Sequence, residues 1–194
     1  MGQLLAPKMV FRYLSNAFLV ATGKAKINDV FDLSSTGFWQ AIAGSWLVGM
    51  VLDSVSILLS DSGLTVSVRA HFLLLNALVP LVATLFFASA TYHILNLFGR
   101  ADRFIQFLVP YIWVKTLFGL VISLLALGAL VTGNSWLVFV ILPTGFLFLT
   151  KLFGIAREQI GLGGWIATGL LVGDLLIHVA LGMTALPGMM GLSN

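Results

Sequence analysis

Five long apolar stretches separated by short polar breaks dominate this chain. They run over about 38–60, 70–97, 104–131, 135–153 and 163–186, and each is close to the ~20 residues a helix needs to cross a bilayer core. The breaks are Asp61–Arg69, Phe98–Arg103, Thr132–Asn134 and Arg157–Gly161. All are short, so successive helices are expected to be antiparallel neighbours. Ser34, Ser35 and Thr36 stand in front of the first stretch as N-cap candidates. The pattern predicts an all-α, polytopic transmembrane bundle of five spans over residues 38–190, with no room for a soluble domain after residue 37.

Residues 1–37 read differently. Lys8, Arg12, Lys24 and Lys26 interrupt any apolar core, and no small-residue cleavage site follows one, so the segment is not read as a signal peptide. Met9, Val10, Phe11, Leu14, Phe18 and Leu19 recur at helical spacing opposite Lys8, Arg12, Ser15 and Asn16. That pattern suits a short amphipathic helix in the headgroup plane with its cations on anionic lipid. It equally suits a cytoplasmic helix packed on the bundle.

Composition narrows the class further. Hydrophobic residues make up 59% of the 194, charged residues 9%, and the mean hydropathy is +1.06. Average soluble domains are about 25% charged, and a soluble fold of this size could not cover so much apolar surface. With no cysteine, thiol chemistry, disulfides and Fe–S clusters are excluded. The formal charge of +3 forms no basic stripe, so nucleic acid is not an expected partner. The cations report orientation instead. A cytoplasmic N-terminus puts Lys8, Arg12, Lys24, Lys26, Arg100, Arg103, Lys151 and Arg157 on that side and leaves only Arg69 outside. Five spans then place the C-terminus, Leu186–Asn194, outside. Trp39, Trp136 and Trp165 stand at predicted interfaces as aromatic anchors.

The most informative residues are ionisable groups inside the spans. Asp53 lies 14 residues beyond Trp39, Lys115 12 beyond Arg103, and Asp174 nine beyond Trp165, with His178 one turn deeper. At 1.5 Å per residue all fall about 13–21 Å from the cytoplasmic boundary, near mid-depth. A charge there costs at least about 2.5–3.5 kcal/mol on insertion scales, so such groups turn inward and find partners. Asp174 and His178 share one helical face; Lys115 can pair with Asp174 or with Asp53. The four form either a proton relay and polar binding site or an internal ion-pair network that fixes packing. Two ligands on one helix, with no third histidine and no cysteine, leave a metal shell short, so no metal and no cofactor is expected.

Weaker signals complete the pattern. Pro80, Pro110 and Pro143 lie inside apolar spans and are expected to kink them or mark local unwinding. His93 reads as a snorkelling or capping residue, and His71 as an interfacial one. Gly169 and Gly173 form a GxxxG element that permits close helix approach, within the bundle or between subunits. Gly161, Gly163 and Gly164 read as a flexible helix entrance rather than a phosphate loop. No Gly-x-Ser-x-Gly, His-Glu-x-x-His or paired carboxylates one turn apart occur, so an enzyme is not expected.

In its layout the chain resembles the Yip1 family of small five-span membrane proteins. The resemblance rests on Asp32-Leu33 followed by Phe38-Trp39, and on Leu97-Phe98-Gly99-Arg100 followed by Phe104 and Val109-Pro110-Tyr111. Where eukaryotic members carry Tyr-Gly-Pro after the Asp-Leu pair, this chain has Ser34-Ser35-Thr36-Gly37, and it is more similar to bacterial relatives. The resemblance implies a cytoplasmic N-terminus, an outward C-terminus and no enzymatic activity, and the expected location is a bacterial inner (plasma) membrane. The expected function is that of a non-enzymatic accessory subunit or scaffold, associating with a membrane-protein partner or with itself through Gly169 and Gly173. The alternative is a small proton-coupled carrier using Asp53, Lys115, Asp174 and His178.

Overall fold

A computed structural model of the chain describes residues 7–59, 66–134 and 136–190. Residues 60–65, most of the expected first break, lie outside the described residues, as do the end of the chain at 191–194 and the side chains of Arg69 and His71.

Every regular element among the described residues is helical. They are α1 (Pro7–Ala21), the single turn α2 (Ile27–Val30), α3 (Ser35–Leu59), α4 (Val66–Leu97), a 3-10 turn (Ala101–Arg103), α5 (Phe104–Thr132), α6 (Trp136–Ile160) and α7 (Gly164–Met190). The five from α3 to α7 are long and apolar enough to cross a membrane.

The helix ends follow from local chemistry. Asp32 Oδ1 accepts a hydrogen bond from the Ser34 backbone N–H (3.1 Å), and Ser34 Oγ accepts one from Gly37 N (3.3 Å), so Ser34 caps α3. A Cβ at position 37 would run into the Asp32 carbonyl, so the capped entry needs glycine there. α5 stops at Gly133, whose φ of 65° lies in the left-handed region that glycine occupies without strain. Pro80, Pro110 and Pro143 all lie inside continuous helices.

Two expectations need correction. The fourth span does not end near residue 153: α6 continues through Arg157 to Ile160, and the break begins only at Gly161, whose φ is 66°. Leu152, Ile155, Ala156, Gln159 and Ile160 are buried, while Lys151, Arg157 and Glu158 are exposed. The helix turns amphipathic beyond its apolar stretch and remains anchored by one face. Nor do all successive helices pack together. The principal contacts close a ring in the order α3, α5, α6, α7, α4, while α4 and α5, joined through the 3-10 turn, touch little.

α5 is the most enclosed helix. Phe107 to Val114 are buried without interruption, because α3, α6 and α1 cover different sides of it. α1 packs on α5 through Val10, Tyr13 and Ala17, whereas Phe11 and Phe18 point away and are exposed. The Tyr13 ring stacks on Trp113 (centroids 5.0 Å apart) and on Phe31 (6.1 Å), and Tyr13 Oη donates to Gln40 Oε1 of α3 (3.2 Å). The apolar residues of α1 thus divide between the bundle and the outside.

Candidate functional site

The fold brings the ionisable residues of three spans to one place. α5 presents Tyr111 and Lys115, and α7 presents Asp174 and His178; each pair is spaced i, i+4 and so lies on one face of its helix. α5 and α7 are not principal neighbours in the ring, yet their side chains meet across its interior. Lys115 Nζ lies 2.8 Å from Asp174 Oδ1 and 2.6 Å from Oδ2, a two-oxygen ion pair. Tyr111 Oη donates to Asp174 Oδ2 at 2.9 Å. His178 Nδ1 stands 2.8 Å from the Asp174 backbone carbonyl and 3.2 Å from Oδ1, and its Nε2 is 3.4 Å from Lys115 Nζ. An ammonium can only donate, so Nε2 accepts, and the imidazole fits as the tautomer protonated on Nδ1.

Asp174 is buried, and its carboxylate is saturated by three side chains. A carboxylate in apolar surroundings persists only with such compensation. Of the two partners open to Lys115, the structure selects Asp174.

Asp53 is placed differently. It is half-buried on α3 and has no hydrogen bond or ion pair among the described residues. It faces the same space, a cavity of about 290 Å³ between α3, α4, α5 and α7 whose lining includes Asp53, Lys115, Asp174 and His178. The cavity walls are completed by Trp46, Phe87 and Tyr111. Trp46 Nε1 is held by the Ala77 carbonyl (2.7 Å), close to Pro80, whose ring disturbs the hydrogen bonding of the turn before it.

Tyr111 is the site residue that the sequence reading passed over. Its signal was its position one turn before Lys115, the same spacing that joins Asp174 to His178. Trp46 carried no comparable signal.

Other candidates lie elsewhere. His93 is exposed, edge-on to Tyr92 (5.7 Å). Gly169 and Gly173 are away from the cavity, and a Cβ added at either meets nothing within 4 Å. No group of three or more metal-ligating side chains occurs among the described residues. Comparison with models of known protein families, with curated proteins and with solved structures finds no match.

Proposed function

We propose that this protein is an integral membrane carrier that binds a small polar solute in the cavity between α3, α4, α5 and α7. The observation that carries the reading is that Asp53, Lys115, Asp174 and His178, from three different helices, line one cavity. An ion pair kept only for packing needs no open space beside it, whereas a binding site does. The ring of helices around that space supplies the elements whose rearrangement would open it to either side.

In this reading the N-terminus is cytoplasmic and the C-terminus outside, on the strength of eight cations against one. α1 lies at the cytoplasmic interface, its Val10–Tyr13–Ala17 face on the bundle and Phe11 and Phe18 toward lipid. The membrane is a bacterial inner membrane, and the protein is not an enzyme.

The test exploits the absence of native cysteine. Thr84→Cys and Ser123→Cys line the cavity, and Leu142→Cys lies on an exposed apolar face of α6. In proteoliposomes, a membrane-impermeant charged thiol reagent is expected to modify the first two from both sides and to spare Leu142→Cys. Lining cysteines that stay inert from both sides would mean a dry cavity, and the cluster would then be a packing device.

A second reading, an accessory subunit associating through α7, is favoured by the open ground around Gly169 and Gly173 and by exposed Val172 and Leu176 beside them. Gly169→Leu with Gly173→Leu should abolish co-purification of a partner or a second copy in mild detergent, with the melting temperature unchanged. Retention of the partner would count against this surface.

A further inference from the structure

We infer that the solute of this cavity is a small organic monocation, with Asp53 as its counter-ion and the half-buried indole of Trp46 as its aromatic neighbour. This names the substrate class of the site proposed above and rests on that reading.

Charge balance sets the sign of the solute. Lys115 and Asp174 neutralise each other at 2.6 and 2.8 Å, and His178 is held in their network through both ring nitrogens. Tyr111 Oη is committed to the same carboxylate. Every ionisable group on α5 and α7 that faces the cavity is thereby occupied. What is left over is Asp53, half-buried and without a partner among the described residues. A solute must compensate that carboxylate in surroundings of low polarity, which a cation does and an anion cannot.

The cavity wall favours the same charge. The polar edge of Trp46 is consumed by the Ala77 carbonyl, so its half-buried indole offers the cavity apolar and π surface rather than a donor. Phe87 and Tyr111 also border the cavity, but their rings are buried against each other (centroids 5.4 Å apart). Aromatic faces beside a carboxylate attract a weakly hydrated cation through their negative ring faces. A volume of about 290 Å³ is at the small end of ligand cavities, matching an alkylammonium rather than a bulky amphiphile.

The experiment uses the full chain in phospholipid nanodiscs, with tryptophan fluorescence as the readout because Trp46 lines the cavity. The probes are choline, its uncharged carbon isostere 3,3-dimethylbutan-1-ol, and acetate. Saturable quenching by choline is expected, with the isostere at least tenfold weaker and acetate silent. Asp53→Asn should weaken choline at least tenfold and Asp53→Glu should restore it, while Trp46→Phe should remove most of the signal. Circular dichroism establishes that each variant is folded, and if Asp53→Asn is not, the choline-to-isostere ratio in the unaltered chain decides. Choline that fails to bind, that binds no better than its isostere, or that binds Asp53→Asn undiminished overturns the inference. The carrier reading is judged separately by the reactivity of Thr84→Cys and Ser123→Cys, which depends on water in the cavity and not on any probe.

Discussion

Asp174 accepts from Lys115, Tyr111 and His178 at once, so its removal has consequences that differ from those of removing any one donor. Asp174→Asn leaves the Lys115 ammonium without its paired charge, and breaking a buried pair from one side costs about 3–5 kcal/mol. Asp174→Asn combined with Lys115→Met removes the charge as well as its partner and should recover most of the lost thermal stability. Melting curves of the two single variants and the double variant form the cycle; strictly additive losses would mean that the pair is not coupled. Thr91 behaves in the opposite sense. It is fully buried, its Oγ1 has no hydrogen-bond partner among the described residues, and an isosteric valine loses nothing there. Thr91→Val should therefore stabilise the protein by about 1 kcal/mol, raising the melting temperature. At this scale the sequence was legible wherever a charge fell inside an apolar stretch, since lipid makes such a residue conspicuous. Tyr111 was missed because a phenol is unremarkable in a membrane span until a buried carboxylate stands opposite it.

Among the elements, α1, α3 and α5 are joined by one aromatic stack. Trp113 is buried between Tyr13 of α1 and Gly44 of α3, and a Cβ at position 44 would strike the Trp113 ring. Gly44→Ala should cost about 1–3 kcal/mol by overpacking and should also loosen α1, because the displaced indole carries Tyr13. Limited proteolysis between residues 22 and 26 would then accelerate. Gly169→Ala, with open space around it, should leave both the melting temperature and the cleavage rate unchanged. The five long helices could be read directly from hydropathy, since each must fill a bilayer by itself. The end of α6 could not, because its last turns hold on by Leu152, Ile155, Ala156 and Ile160 against neighbours that only the fold supplies. The division of α1 into a packed face and an outer face was hidden for the same reason.

For the whole molecule, the proposed orientation rests on the distribution of cations. Lys24→Cys should react with an impermeant thiol reagent only from the cytoplasmic side of inside-out vesicles, and Asn134→Cys only from the opposite side in intact cells; the reverse pattern would invert the topology. The sequence by itself determined the five long helices, apolar enough to cross a membrane, and the helix on which each of Asp53, Lys115, Asp174 and His178 stands, because these depend on length, hydropathy and position along a helix of known rise. Which carboxylate takes Lys115, the weak contact between α4 and α5, and the cavity that leaves Asp53 facing open space were decided by tertiary structure alone. Hydropathy carries no information about azimuth or about order around a bundle. Those are set by side-chain fit between helices, such as the indole of Trp113 against Gly44, and by the need of a buried carboxylate for every donor within reach.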